Sequence, residues 1–301
     1  MCELLGMSAN VPTDIRFSFA GLIRRGGETG PHADGWGIAF HEGGKGCRAF
    51  HEVAPSAHSD LARFLRTHPV RSRIAVAHIR RANRGRLAVE NTHPFTRELW
   101  GRTWSFAHNG QLRGIKRRPL RHYRPVGTTD SEHAFCWLLD RLRERWTRPP
   151  SEAALCRAVR ELCRDLDGLG TFNALIGDGT RLFAFCSTRL VWLTRRAPFG
   201  EAHLTDDDLV VDFSKETSPT DVVTVVATCP LTANEAWTPL LPGELLVLRA
   251  GERIAAAEPG RAAAKPVRGA APVLPAAAVT PPPPHRWEPR IVERHSMGEA
   301  A

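Results

Sequence analysis

The 301-residue sequence lacks any apolar run of the roughly 20 residues that are needed to cross a bilayer. Its opening residues, MCELLGM, also lack the basic region and apolar core of a secretory signal. The seven cysteines form no CxxC pair, so neither a zinc ribbon nor a disulfide framework is indicated. These absences predict a protein that is neither membrane-bound nor exported, with reduced thiols and a cytoplasmic location.

Lysine is scarce, and the formal net charge of +9 therefore comes almost entirely from arginine. An excess of positive charge is typical of proteins with anionic partners. No basic segment interleaved with aromatic residues accompanies this charge, so we expect no nucleic-acid partner. A Walker loop and a dinucleotide fingerprint are both missing. His32, Asp34 and His41 lie near one another, but their spacing fits no zinc pattern, and we expect neither metal nor cofactor.

The composition divides the chain into a compact region over residues 2–254 and a tail over residues 255–301. Alanine and proline dominate the tail, which includes the run Pro281–Pro284. Such a segment buries too little apolar surface to offset the entropy of ordering it, so we expect it to be disordered or polyproline-like.

The hydrophobic periodicity predicts strands, then two consecutive helices, then more strands, which indicates an α+β fold with mainly antiparallel sheets. Thr129-Asp130-Ser131-Glu132 has the form of a capping box and predicts the start of the first of the two helices. The second follows Pro149-Pro150. Other predicted helices are Arg16–Arg24 and Ser56–His68. Predicted strands are Cys2–Met7, Gly35–Phe40, Ile74–His78, Thr103–Ala107, Thr171–Ile176, Arg181–Cys186, Leu190–Thr194, Asp221–Ala227 and Glu244–Arg249.

Five short polar clusters stand at strand ends or helix starts. They are Met1-Cys2, His78-Ile79-Arg80, Asn91-Thr92-His93-Pro94-Phe95, His108-Asn109-Gly110 and Thr129-Asp130-Ser131-Glu132. Each has an ordinary explanation by itself, since Asn-Gly favours turns and a Thr-x-x-Glu sequence favours helix caps. Their joint occurrence in this order resembles the class II, or N-terminal nucleophile, glutamine amidotransferases. PHADGWGI and AHIRRANRG resemble the stand-alone YafJ-like and ergothioneine-pathway amidohydrolase-like group.

This resemblance covers about residues 1–250 and implies a four-layer αββα sandwich of the N-terminal nucleophile hydrolase type. It implies that removal of Met1 makes Cys2 both nucleophile and base, because a free α-amine has a pKa of about 7.7–8.0 beside a thiol of about 8.5. The Asn109 side chain and the Gly110 N–H correspond to the oxyanion hole. Arg80 corresponds to the residue that binds the α-carboxylate of glutamine.

Asp130 corresponds to the residue that holds the α-ammonium of glutamine, while Thr129 caps the helix. Simpler explanations remain for some of these residues: Cys2 starting a buried strand, Arg80 forming a surface ion pair, and Asn109-Gly110 forming a turn. The early segment Arg24–Gly37 is stretched relative to the family, which leaves the roles of Arg25 and Asp34 open. Asn91–Phe95 resembles a supporting segment without a catalytic task.

Two features depart from the family or lie outside its pattern. Arg81 stands where several members have an aromatic residue, and an added charge there favours a larger anionic substrate. The segment 113–124 carries six basic residues and no acid, which fits either a solvated loop or recognition of an acidic substrate or partner.

The resemblance implies hydrolysis of a γ-glutamyl amide, either glutamine or a larger γ-glutamyl compound, through a Cys2 thioester. A first alternative is a glutaminase subunit that delivers ammonia to a separate synthase. We expect no ammonia-consuming synthase domain within the tail over residues 255–301. A second is a non-catalytic binding or regulatory module that retains the old pocket. The physiological substrate, the ammonia acceptor and the oligomeric state do not follow from the sequence.

Overall fold

Two antiparallel sheets, each with a pair of helices, make up the computed structural model, which describes residues 2–82, 86–215 and 218–254. The helices are α1 (Arg16–Arg24), α2 (Asp60–Thr67), α3 (Asp130–Arg145) and α4 (Glu152–Asp167). The first eight strands are β1 (Glu3–Asp14), β2 (Trp36–Glu42), β3 (Gly46–Glu52), β4 (Arg71–Ile79), β5 (Phe95–Leu99), β6 (Arg102–Leu112), β7 (Gly170–Gly177) and β8 (Arg181–Cys186). The others are β9 (Val191–Arg196), β10 (Glu201–His203), β11 (Val210–Asp212), β12 (Val222–Ala227), β13 (Thr238–Pro239), β14 (Glu244–Arg249) and β15 (Glu252–Arg253).

The strand order places β1 in the middle of one sheet and β6 near the edge of the other. The first sheet runs β13-β9-β12-β1-β4-β2-β3, and the second runs β15-β14-β8-β7-β6-β5. Every neighbouring pair in both sheets is antiparallel. The short strands β10 and β11 form a separate two-stranded ribbon.

Side chains alternate along the central strand β1 and build two cores at once. Leu4 belongs to the cluster between the two sheets, whereas Leu5 and Met7 belong to the cluster under α1 and α2. A third cluster joins the outer face of the second sheet to α3 and α4, with Phe135 and Val159 among its members. The chain therefore forms four layers, helix–sheet–sheet–helix, and the predicted αββα sandwich is confirmed.

The two sheets approach each other closely at Gly6 of β1. A Cβ atom at this position would lie 2.9 Å from Cδ2 of Leu182 and 3.1 Å from Cδ1 of Leu175, both in the second sheet. Any larger side chain would have to push these leucines away. Glycine thus permits the close packing that holds the start of β1 against the facing sheet.

Most predicted elements are present, and three have the predicted bounds: α1, β8 and β14. The helix predicted from Ser56 begins later, because residues 56–58 form a 3-10 turn and Ser59 caps an α-helix that starts at Asp60. Six strands were not predicted: β3, β5 and the two- or three-residue strands β10, β11, β13 and β15. The tail predicted over residues 255–301 lies outside the described residues. Among the residues that the structure describes, no helix is both long and apolar enough to cross a membrane.

The capping box at α3 is only half formed. The Thr129 hydroxyl accepts a hydrogen bond from the Glu132 N–H, as predicted. The Glu132 carboxylate does not bond back to Thr129; it accepts from the N–H groups of Val126 and Gly127 and pairs with Arg97. Glu132 therefore fixes the loop before the helix rather than the cap itself.

His41 of β2 supplies a pH-dependent link between the sheets, because its Nε2 lies 2.8 Å from the Ser105 hydroxyl of β6. Burial lowers the pKa of His41 to about 4, below its ordinary value of 6.5. As the pH falls, His41 is protonated in the unfolded chain before it is protonated in the folded protein. The contribution of His41 to the free energy of unfolding is therefore fully present above pH 6.5 and is lost as the pH drops towards 4.

We expect the His41→Gln variant to lose less stability than the native chain between pH 7 and pH 5. The expected difference is on the order of 1–2 kcal/mol, since each pH unit is worth about 1.4 kcal/mol per titrating group. Urea unfolding at the two pH values measures it, with His58→Gln at an exposed histidine as the control. Identical pH dependence of His41→Gln and the native chain would refute the assignment.

Candidate active site

The five residues proposed from the sequence converge on one cavity of about 690 Å3. Cys2 precedes β1, and Arg80 follows β4, whose last residue pairs with the first residue of β1. Asn109 and Gly110 lie in β6 on the facing sheet, and Asp130 is the first residue of α3. The site therefore forms where one end of each sheet meets the N-terminus of a helix.

The side-chain amide of Asn109 forms hydrogen bonds with both the backbone nitrogen and the carbonyl oxygen of Cys2. The N–H of Cys2 donates to Oδ1 of Asn109 at 3.1 Å, and Nδ2 of Asn109 donates to the carbonyl oxygen of Cys2. These two hydrogen bonds link β1 of one sheet to β6 of the other. The position of the Cys2 nitrogen is therefore fixed by the side chain proposed for the oxyanion hole.

The Cys2 thiol lies against the residue that follows Arg80. The Arg81 N–H donates to the sulfur at 3.3 Å, and the Arg81 carbonyl oxygen lies 3.5 Å from it. Burial raises the pKa of the thiol, and this effect outweighs the Arg81 N–H and the charge of Arg80, which both lower it. While the Cys2 nitrogen is an amide, the thiol is thus predominantly protonated at neutral pH and needs a base.

The His108-Asn109-Gly110 sequence is part of a strand, so the alternative of an ordinary turn is wrong. Gly110 has a φ of 155°, and a Cβ atom there would lie 1.9 Å from the carbonyl oxygen of Thr171. Only glycine fits. The His108 ring bonds to the Thr171 carbonyl through Nε2 and to the Ser131 hydroxyl through Nδ1, which ties the strand to α3.

Asn173 of β7 supports Asn109 and was not identified from the sequence. The two residues face each other in the register of β6 and β7, and Nδ2 of Asn173 lies 3.4 Å from the Asn109 carbonyl oxygen. Its Oδ1 accepts from the N–H groups of Ser187, Thr188 and Arg189. A buried asparagine within the apolar strand TFNALIG was the available signal.

Arg80 is only 5% exposed, and its Nη1 has no hydrogen-bond partner among the described residues. The alternative of a surface ion pair is therefore wrong. A buried guanidinium N–H group without a partner is costly, and a carboxylate is its natural complement. The interior of the cavity thus offers a site for a small anion.

Asp34 and Arg25, whose roles the sequence left open, both act as supports. The Asp34 carboxylate accepts from the Ala82 N–H at 2.6 Å, and its own N–H donates to the carbonyl oxygen of Arg80. Arg25 forms buried ion pairs with Glu3 and Asp206. Asp34 therefore holds the segment after β4, and Arg25 holds the start of β1.

Asp130 lines the cavity while Thr129 caps the helix, so the two functions considered for this segment are geometrically compatible. Its Oδ2 accepts from the Leu112 N–H at 2.7 Å, and its Oδ1 accepts from the Ser131 N–H at 3.0 Å. The carboxylate is thus oriented by β6 and by the first turn of α3. It is only partly buried, which leaves it accessible to a ligand cation.

Two neutral histidines form part of the cavity wall. The rings of His78 and His93 lie 4.3 Å apart, and their ring nitrogens have no partner among the described residues. Burial lowers the pKa of His78 to about 3 and that of His93 well below 6.5. Both rings are therefore uncharged at neutral pH, so they add polarity to the interior without competing with Arg80 for an anion.

A second cavity, of about 970 Å3, lies at the other end of the sandwich around His41 and contains none of the residues proposed from the sequence. Within the ranges that the structure describes, no group of three or more His, Cys, Asp and Glu side chains is arranged to hold a metal ion. The residues proposed from the sequence bring a thiol, an amide, a guanidinium and a carboxylate to the smaller cavity.

Comparisons with known proteins agree on one family. The family model described as "Glutamine amidotransferases class-II" matches residues 1–271. YafJ of Escherichia coli K12, named as a putative glutamine amidotransferase, is 58% identical over 255 residues, which are 84% of this chain and all of that protein. The 2.0 Å crystal structure of a predicted glutamine amidotransferase from Pseudomonas aeruginosa PA01 is 50% identical, with a TM-score of 0.69, and covers 84% of this chain and all of that one.

A more distant structure shares the fold alone. The glutamine phosphoribosylpyrophosphate amidotransferase of Bacillus subtilis aligns with 82% of this chain and 47% of its own, at 17% identity and a TM-score of 0.52. The fold of this chain thus also occurs in a solved structure of much lower sequence identity.

The buried Nη1 of Arg80, which has no partner among the described residues, predicts that a small carboxylate stabilises the protein. At ten times its dissociation constant, L-glutamate should raise the melting temperature by about 3–6 °C. We expect Arg80→Gln to abolish this shift, whereas Arg86→Gln, at an exposed arginine paired with Glu90, should keep it. Thermal unfolding with and without L-glutamate measures the effect, and an undiminished shift in Arg80→Gln would exclude the anion site.

Proposed function

This chain belongs to the class II glutamine amidotransferases, and from that premise we propose that it hydrolyses the amide bond of a γ-glutamyl compound. The substrate is glutamine or a larger γ-glutamyl amide, and the products are glutamate and ammonia or the corresponding amine. The observation that carries the proposal is the reciprocal pair of hydrogen bonds between Asn109 and Cys2, in the same cavity as the unpartnered Arg80 guanidinium.

Removal of Met1 would turn the Cys2 nitrogen from an amide into an amine with an intrinsic pKa of about 7.7–8.0. The nitrogen and the thiol belong to the same residue, so the amine can take the thiol proton directly. Because burial raises the pKa of the Cys2 thiol, this adjacent base is needed for thiolate to form near neutral pH. The thiolate then attacks the carbonyl carbon of the γ-amide.

The oxyanion formed by this attack needs hydrogen-bond donors. The Asn109 amide has two N–H groups, of which one donates to the Cys2 carbonyl oxygen and the other is available to the oxyanion together with the Gly110 N–H. The Cys2 ammonium protonates the leaving nitrogen, the C–N bond breaks, and a γ-glutamyl thioester remains. Water, deprotonated by the α-amine, then attacks the thioester and releases glutamate and the thiol.

Arg80 and Asp130 supply opposite charges for the two charged groups of the glutamyl part. The buried guanidinium of Arg80 suits the α-carboxylate, and the carboxylate of Asp130 suits the α-ammonium. Two fixed charges of opposite sign favour an amino acid over a simple amide, because a ligand lacking either group leaves one charge without a partner.

The two alternatives differ in what the purified protein does. A glutaminase subunit that feeds a separate synthase would release ammonia only with its partner, whereas a free-standing hydrolase acts alone. A non-catalytic module would bind ligand in the cavity without turnover.

The proposal predicts that an N-terminal extension blocks activity. A protein that carries a tag ahead of Cys2 keeps an amide at the Cys2 nitrogen, so it has no amine base and should not hydrolyse glutamine. Protease cleavage that leaves Cys2 as the first residue should restore glutamate and ammonia production. A Cys2→Ala protein cleaved in the same way should stay inactive. Equal activity of the tagged and cleaved proteins would contradict an N-terminal nucleophile.

Asn109 and Asp130 are predicted to affect different kinetic constants. Asn109→Ala should lower kcat by about 10²–10³, because it removes an oxyanion donor. Asp130→Ala should raise KM by about tenfold or more with a smaller effect on kcat, because it removes a charge-assisted contact with the substrate. Asp165→Ala, at an exposed residue paired with Arg118, is the control. An unchanged KM in Asp130→Ala would remove its assignment.

A further inference from the structure

Four of the six basic residues of the segment 113–124 are either paired with an acidic residue or line the cavity. Arg118 pairs with Asp165 and stacks on the Trp137 ring, and Arg121 pairs with Glu144. Lys116 and Arg117 line the cavity that contains Cys2. Part of the charge of this segment therefore belongs to the candidate active site.

Arg81 adds a third cation to the same cavity. Its backbone contacts the Cys2 sulfur, while its side chain is exposed. Neither Arg81 nor Arg117 has an ion-pair partner within the part of the chain that the structure describes, and Lys116 bonds only to the Thr128 carbonyl oxygen. These three cations flank both Cys2 and the Asp130 side of the cavity.

Glutamine alone would leave this charge unmatched. Its α-carboxylate and α-ammonium correspond to Arg80 and Asp130, and the remaining amide is neutral. A cavity of about 690 Å3 is also large for a ligand of about ten non-hydrogen atoms, since volumes of about 300–1,000 Å3 hold drug-sized molecules. The same cavity therefore has both more volume and more positive charge than glutamine would use.

We propose that the substrate is a γ-glutamyl amide whose amine part carries a carboxylate, sulfonate or phosphate, recognised by Arg81 and Arg117. This inference rests on the proposed hydrolase function. Water cleaves the amide bond, so the products are glutamate and the free anionic amine, and no further reactant is required. The Cys2 sulfur attacks the γ-carbonyl carbon, and the substituted nitrogen that leaves is bonded to that carbon. The amine part therefore lies near the sulfur, which the Arg81 backbone contacts.

The test compares two substrates that differ chiefly in one charge, γ-glutamylglycine and γ-glutamylglycinamide, with the full chain bearing a free Cys2 amine. The expected kcat/KM for the glycine compound is about 5–50 times that for the glycinamide at low salt, and the ratio should shrink as salt screens the exposed arginines. Arg117→Gln should reduce the ratio several-fold, chiefly through a higher KM for the glycine compound.

The double variant Arg81→Gln/Arg117→Gln should bring the ratio close to one. Arg121→Gln is the matched control, because Arg121 lies in the same basic segment but does not line the cavity, and it should keep the native ratio.

The outcomes separate this inference from the proposed function. Hydrolysis of glutamine with equal kcat/KM for the charged and neutral amides would overturn the inference alone. A preference that persists in the double variant would also overturn it. Failure to hydrolyse any of the three compounds, glutamine included, would overturn both.

Discussion

The pair of hydrogen bonds between the Asn109 side chain and the Cys2 backbone is the constraint on which the rest of the site depends. It joins the first strand of one sheet to a strand of the other and fixes both the nitrogen and the carbonyl group of Cys2. Several neighbouring features maintain it. Arg25 pairs with Glu3 next to Cys2, and Asn173 contacts the strand that carries Asn109. The glycine at position 110 lets β6 pass close to Thr171.

The cavity that contains Cys2 has a buried positive charge in its interior and exposed positive charges. His78 and His93 are buried and neutral, whereas Arg80 keeps a buried positive charge whose Nη1 has no partner among the described residues. An unpaired buried charge costs folding free energy, which is tolerated where a ligand supplies the opposite charge. The exposed cations Arg81 and Arg117 are cheaper, because water solvates them, and they act on selectivity more than on stability.

The sequence was sufficient for the parts of the structure that depend on local pattern. Apolar periodicity located α1, β8 and β14, and the polar clusters at element ends located five of the residues that line the cavity. It was insufficient where strand register decides the outcome. Asn173 supports the site only because β7 places it opposite Asn109. β3 was missed because its side chains are mostly exposed or half-buried, which leaves little hydrophobic signal. Glu132 bonds to the preceding loop rather than the helix cap because Val126 and Gly127 present their N–H groups to it.

The central claim is that Cys2, freed of Met1, is a nucleophile for the γ-carbonyl carbon of a glutamyl group. Its most direct test is the intact mass and peptide map of the protein after incubation with a glutamine-like diazoketone. The account predicts a chain that lacks Met1 and carries a single adduct on Cys2, formed more slowly in the presence of excess glutamine. A chain that retains Met1 and carries no adduct, or an adduct on the half-buried Cys47 or Cys229 instead, would contradict it.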